Sequence, residues 1–422
     1  MKMSRAQVVQ EPLVLYETEL DTFKRRRNSY FDFKTTPASM GVYGLHQYPA
    51  MLHFMVVREL LLKYSKKNDL IFDPFAGSGV VATECLLNER NFIGCDINPL
   101  AIMIAKARTT PIHSKKLNDY KEIIEKRFRK IKPSKVDFHN IDFWFFPETI
   151  KDLSRLKKAI FEIENSKIKN FFKVVFSDVV RKVSHTRNNE FKLFRNKELL
   201  SINVLDTFLI TTSKFIHALE KLNHAKPEKS PSVQIYERNI LANDFIEDNS
   251  IDLIITSPPY GDSKTTVAYG QFSRLSLRWL DIEEIVDKTS LGAKPQVIEE
   301  NLPSEILYEK LELVKQQDLF RATEVFSFYK DLLSAIEVIS TKVKKGGTIC
   351  FVVGNRRVKG FELPTDLISA DFFSANGFHH KETIVRAISS KRMPTENSPT
   401  NIAGVKDTTM SHEYIVILKK EL

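Results

Sequence analysis

Apolar and polar residues follow two rhythms along this chain, one helical and one of short buried runs. Residues 51–65, MLHFMVVRELLLKYS, carry apolar positions at helical spacing and predict an amphipathic helix. Residues 69–73, DLIFD, predict a short buried strand that runs into the turn Pro74-Phe75-Ala76-Gly77-Ser78-Gly79. A helix over 80–87 and a strand over 91–96, NFIGCD, follow. Strand pattern resumes much later, at 233–241 (VQIYERNIL) and 251–256 (IDLIIT). The polar stretch 261–323 reads as a loop, 326–343 as a helix, Lys344-Lys345-Gly346-Gly347 as a turn and 348–353 as a strand. Residues 382–388 and 413–418 are two further strand candidates. Alternating strand and helix predict an α/β fold with a doubly wound parallel sheet.

Residues 111–232 break the alternation. They are rich in Lys, Phe and Ile, and their apolar spacing is helical, most clearly over 151–183. They read as a helical insertion with a small core of its own, rejoined to the sheet through the polar stretch 224–232. The expected organisation is a lead segment over 1–35, a sheet domain from 36–110 and 233–422, and the insertion between them. Lys24-Arg25-Arg26-Arg27 reads as a solvated charge run.

Composition narrows the function classes. Hydrophobic residues make up 42% of the chain, an ordinary share for a folded protein. No apolar run reaches membrane-spanning length, and acids occupy the N-terminal stretch where a secretory signal would be apolar. The expectation is a cytoplasmic protein with no membrane partner. Cys85, Cys95 and Cys350 form no Cys-x-x-Cys pair and lie in apolar stretches, which disfavours disulfides, a zinc site and a thiol nucleophile. The net charge of +10 suits a polyanionic partner.

Three motifs carry chemistry. In Asp73-Pro74-Phe75-Ala76-Gly77-Ser78-Gly79, glycines allow a tight turn between strand and helix and let bare backbone approach a ligand. Asp96 ends the next strand about twenty residues on, where an acid in such a fold binds ribose hydroxyls. That pair fits any nucleoside-containing cofactor, although the loop lacks the full dinucleotide pattern. Thr256-Ser257-Pro258-Pro259-Tyr260 follows the apolar run IDLII. Its prolines stiffen an extended turn that can present a side-chain oxygen and a backbone carbonyl to an amino group, beside a ring able to stack on a base.

Together, DPFAGSG, GCDINPLA and TSPPY resemble the amino-methyltransferases of DNA, especially the cytosine-N4 enzymes of restriction–modification systems. The resemblance covers roughly 40–110 and 233–420. It includes Gly44-Leu45-His46-Gln47-Tyr48-Pro49-Ala50, Ser390-Lys391-Arg392-Met393-Pro394 and 412–418. It implies a Rossmann-like class I methyltransferase sheet, S-adenosyl-L-methionine as cofactor, double-stranded DNA as substrate, and a separately encoded restriction endonuclease as partner. Ser257 and the Pro258 carbonyl would accept hydrogen bonds from the exocyclic amine of a flipped base, with Pro259 fixing the turn and Tyr260 stacking. The cofactor set would be His46, Tyr48, Asp73, Pro74, Phe75, Ala76, Gly77, Ser78, Gly79, Asp96, Ile97 and Asn98, with Asp244 beside the adenine. Adenine-N6 relatives more often carry Asp or Asn at the position of Ser257. One departure from the family stands out: the long insertion falls between the second and third strands.

Candidates for DNA binding come from the residues themselves. Arg181, Lys182, Arg187, Lys192 and Arg195 interleave with aromatics, a pattern suited to phosphate binding and stacking. Arg274 and Arg278 follow the Pro-Pro turn. A solvated helix face is the competing reading for the first group, and loop packing for the second. Four other functions compete: adenine-N6 methylation, guanine-N2 methylation of RNA, methylation of a protein glutamine amide, and a non-catalytic nucleic-acid-binding module. Cytosine C5 methylation is disfavoured, because no Pro-Cys nucleophile is present.

Overall fold

The computed structural model describes residues 24–421, apart from 188–189, 243–244, 263–266, 300, 389–395, 398–406 and 409. Asp244 and the Ser390–Pro394 segment therefore lie outside the described residues. The main sheet holds β1 (Arg25–Arg27), β2 (Leu70–Asp73), β3 (Asn91–Asp96), β4 (Val233–Glu237), β5 (Ile251–Thr256), β6 (Val343–Val353), β7 (Phe378–Ala387) and β8 (His412–Lys420). Their order is β1-β7-β8-β6-β5-β2-β3-β4. Strands β2 to β6 pair parallel with one another, and β8 runs antiparallel between β6 and β7. This is a Rossmann-like sheet. From β2 the chain winds outward through β3 to β4, then returns to β5 on the other side of β2. That reversal makes the carboxyl ends of β2 and β5 the topological switch point, where open α/β sheets bind ligands.

Alternation along the strands builds a core on each face. Cys350 and Val352 of β6, with Ile415 and Ile417 of β8, point into one cluster. Ile349, Phe351 and Val353, with Val416 and Leu418, point into the other. The second cluster is closed by helices Glu305–Gln317, Leu319–Lys342 and Thr365–Ser374. The first also contains the insertion, so the expected separate core does not exist. Helix Ser166–Val183 buries Phe171, Phe172, Phe176 and Val179 in the same cluster as Leu100, Ile104 and Leu275. The fully buried Trp279 ring takes edge contacts from Phe138, Phe145 and Phe176. Helix Ser166–Val183 packs on helices Pro99–Thr109 and Tyr269–Trp279, and the other insertion helices pack on it and on one another, so the insertion and the sheet side share one core.

Three other expectations are corrected. Arg25–Arg27 is an edge strand, parallel to β7. Its charges are paired, Arg25 with Asp366 at 2.5 Å, Arg26 with Glu382 at 2.9 Å and Arg27 with Asp32 at 2.6 Å. The stretch 261–323 contains helices Tyr269–Trp279 and Glu305–Gln317, because Phe272, Leu275 and Trp279 share one apolar face. Strand β6 starts at Val343 and carries the glycine pair as an irregularity, with register shifting opposite Ile251 and Leu253. Among the described residues no helix is long and apolar enough to cross a membrane.

Candidate active site

A cleft of about 1000 Å³, including its open mouth, lies at the carboxyl ends of β2, β3 and β5. Tyr48, Asp73, Pro74, Phe75, Ala76, Gly77, Ser78, Asp96, Ile97, Asn98, Ser257 and Pro259 line it. Segments far apart in sequence thus meet at the switch point.

The glycine loop is held from both sides. Gly77 has φ +47° and presents bare backbone to the cleft. Gly79 has φ +80°, and a Cβ there would sit 2.6 Å from the Ala105 Cβ. Gly79 is therefore needed for close packing of helix Val80–Leu87 on helix Pro99–Thr109 and does not line the cleft. Arg108 is fully buried and donates to the Ser78 carbonyl at 2.7 Å and the Tyr43 carbonyl at 2.8 Å, clamping the loop. Its one sequence signal is a guanidinium in the last turn of the mostly apolar helix PLAIMIAKART.

Two carboxylates face the cleft. Asp73 accepts from the Thr256 hydroxyl at 2.6 Å, joining β2 to β5, and from the Phe75 amide at 3.1 Å. Burial pushes its carboxyl up to about 7, with the nearby Asp96 charge adding to the rise. Asp96 accepts from the amides of Gly77 and Asn98, both at 2.8 Å. Burial pushes it up as well, against the pull of these backbone donors. A carboxylate has about four acceptor positions, so about two remain on Asp96 for ligand hydroxyls. Asn98 in turn bonds the hydroxyls of Tyr48 at 3.1 Å and Ser273 at 2.9 Å, fixing the Tyr48 ring beside the cleft.

His46 is a correction. It is buried away from the cleft, with Nε2 3.0 Å from the Ser177 hydroxyl and Nδ1 3.1 Å from the Gln47 carbonyl. Burial lowers its pKa to about 4, and it ties the segment before the glycine loop to the insertion.

The turn after β5 carries a hydrogen-bonded chain. The Ser257 hydroxyl donates to the Tyr260 hydroxyl at 3.0 Å, and Tyr260 donates to Glu413 at 3.1 Å. Ser257 and Pro259 line the cleft, and Pro258 and the half-buried Tyr260 complete the turn beside them. Glu413, which lies in the matched segment 412–418 but has no role assigned there, is itself paired with Arg386. Beyond the turn, Asp262 is pinned by Arg321 at 2.9 Å and Arg356 at 2.8 Å, and these two charges hold its carboxyl far below the usual range.

The basic candidates separate by burial. Arg181 is 3% exposed, donates to the carbonyls of Phe272 and Glu190 and lies 4.1 Å over the Phe272 ring. It is a packing residue that cannot reach a phosphate. Lys182 pairs with Asp178, and Arg274 and Arg278 pair with Glu284. Arg187 pairs with Glu190 at the surface, Arg195 is exposed with its guanidinium 4.3 Å over Phe143, and Lys192 is half-buried.

Comparison with known proteins accords with this geometry. The DNA methylase family model, which covers N6 and N4 enzymes, matches residues 10–107. The type II methyltransferase M.MvaI of Kocuria varians is 37% identical over 429 aligned residues, covering 93% of this chain and 94% of the relative. The chain belongs to this DNA methylase family. The type II methyltransferase M.BsoBI of Geobacillus stearothermophilus is 25% identical, covering 63% of this chain and 57% of its own length. A solved S-adenosylmethionine-dependent methyltransferase from Methanosarcina mazei covers 89% of this chain and 99% of itself at 9% identity, with a TM-score of 0.33, a superposition too loose to carry weight. As a family member the chain is a DNA methyltransferase that uses S-adenosyl-L-methionine.

Proposed function

We propose that this enzyme methylates the N4 amine of cytosine at a specific sequence in duplex DNA, as the modification partner of a separately encoded restriction endonuclease. One observation carries the reading: the turn at the mouth of the cleft begins with a neutral hydroxyl, Ser257, whose own proton is given to Tyr260. Its lone pairs are left to accept from an amine, and the Pro258 carbonyl is the second acceptor. Two such acceptors orient the nitrogen lone pair toward the donor, a gain of positioning that needs no covalent enzyme intermediate. Tyr260 supplies the stacking surface for a base lifted out of the helix.

The cleft fits a nucleoside-bearing methyl donor. Gly77 leaves room for close backbone approach, Asp96 has acceptors to spare for ribose hydroxyls, and Asp73 is a carboxylate suited to the ammonium of the methionine end. S-adenosyl-L-methionine supplies the methyl group when bound there.

The insertion is the proposed target-recognition region. Its segment around 184–203 meets helix Tyr269–Trp279, just after the catalytic turn, through the Leu193 amide and Gln271. Arg187, Lys192 and Arg195 there remain the phosphate candidates, beside the exposed Phe194 ring.

The test is transfer of labelled methyl groups to unmethylated genomic duplex DNA, with total RNA and a protein mixture as competing acceptors. The reading predicts label in DNA alone, lost in Ser257→Ala and Tyr260→Ala although both variants still bind cofactor. Label in RNA or protein, or parental transfer by both variants, refutes it.

A further inference from the structure

Glu413 is the second residue of β8, more than 150 positions from Tyr260 in sequence, yet the fold places it against the catalytic turn. Its partner Arg386 sits directly opposite on β7. Arg386 is anchored in turn, its Nε donating to the Phe31 carbonyl at 2.8 Å. The two side chains are only 14% and 4% exposed. A carboxylate held this firmly behind a tyrosine hydroxyl does more than neutralise an arginine.

Amine methylation leaves the nitrogen with a proton to shed. We propose that Ser257, Tyr260 and Glu413 form a proton relay from the target amine to the Glu413 carboxylate. The proposal rests on reading the turn as the amine site. The N–H bond of the methylated amine breaks as its proton passes to the Ser257 oxygen. The Ser257 proton moves to the Tyr260 oxygen, and the Tyr260 proton to Glu413. Each oxygen gains one O–H bond and loses one, except that of Glu413, which ends protonated and releases its proton to water after turnover. The two hydrogen bonds, at 3.0 and 3.1 Å, already point in this direction. Glu413 acts through Tyr260 and also fixes the orientation of its ring, so it is a positioning residue. Among the described residues, the charged and titratable groups facing it are Arg386 on β7, Tyr260 on the turn and His53 at the start of helix Phe54–Tyr64.

The experiment is single-turnover methylation of duplex DNA by the enzyme, with cofactor affinity measured in parallel. Glu413→Gln keeps the size and the acceptor for Tyr260 but removes the base. It should slow transfer by about 10²-fold, Glu413→Asp should restore part of the rate, and cofactor binding should stay unchanged in both. Tyr260→Phe keeps the ring and the Glu413–Arg386 pair, so it tests the relay even where Glu413→Gln fails to fold. It should show a similar loss, and the double variant should lose little more, because both break one chain. A parental rate in Tyr260→Phe or in folded Glu413→Gln, or no rescue by folded Glu413→Asp, overturns the relay. Should Ser257→Ala be inactive while Glu413→Gln is parental, the amine site stands and only the relay falls. Should Ser257→Ala be fully active, both fall together.

Discussion

Replacing Asp96 by alanine probes the cofactor site most sharply. Two of its acceptor positions serve the amides of Gly77 and Asn98, and about two remain for ribose hydroxyls. A hydrogen bond to a charged group contributes about 1.5–3 kcal/mol, so losing both ligand bonds weakens binding by about 3–6 kcal/mol at most. The loss of the loop anchors adds to this, because Gly77 is then free to leave its φ of +47°. Against it stands the relief of a carboxylate that burial already disfavours. The expected net effect is a rise in Kd of about 10²–10³-fold, with no loss of fold. Isothermal titration calorimetry with S-adenosyl-L-methionine measures it, and circular dichroism checks that the variant is folded. A folded Asp96→Ala protein with a Kd within about threefold of the parent, under 1 kcal/mol, refutes the assignment.

Two further outcomes follow from charge. Asp73 titrates near 7 in the folded protein, so if it binds the methionine ammonium, affinity should weaken about tenfold between pH 8 and pH 6. Calorimetry at the two pH values checks this, and Asp73→Asn should flatten the profile; a flat parental profile contradicts the role. The sign for stability is the opposite one. A carboxyl raised above its unfolded value of about 3.9 favours the fold when protonated, so this stabilisation is lost as pH rises from about 4 through 7, and mild acidification does not weaken the fold through Asp73. In DNA binding, Arg187, Lys192 and Arg195 neutralised together should reduce the log–log salt slope by about 0.9 for each phosphate they had neutralised. Arg181→Ala should instead lower the melting temperature and leave that slope unchanged; a reduced slope in folded Arg181→Ala would show that the buried guanidinium does reach DNA.

The sheet was legible where local pattern and chemistry agree. Strands β3 and β5 and helix Val80–Leu87 lie where their apolar runs and flanking motifs put them, because short buried strands beside glycine and proline turns have few alternatives. Asp73, Gly77, Asp96 and Ser257 meet in one cleft for the same reason. Other features depend on partners that sequence cannot display. Arg25 finds Asp366 across 341 positions, so a charge run that stays largely exposed is also an edge strand. Arg181 ends a helix whose buried face could not be known before its neighbours were. His46 sits in a cofactor-side segment yet spends both ring nitrogens on the core. Glu413 fell within a matched strand segment but its partners did not show, because they depend on the register of β8 against β7.

The central claim concerns which atom is methylated. Unmethylated genomic DNA, incubated with enzyme and methyl-deuterated S-adenosyl-L-methionine, is digested to nucleosides and analysed by mass spectrometry. The geometry around Ser257 predicts the heavy methyl group on cytosine, as N4-methylcytosine. A heavy methyl group on adenine, as N6-methyladenine, would contradict it.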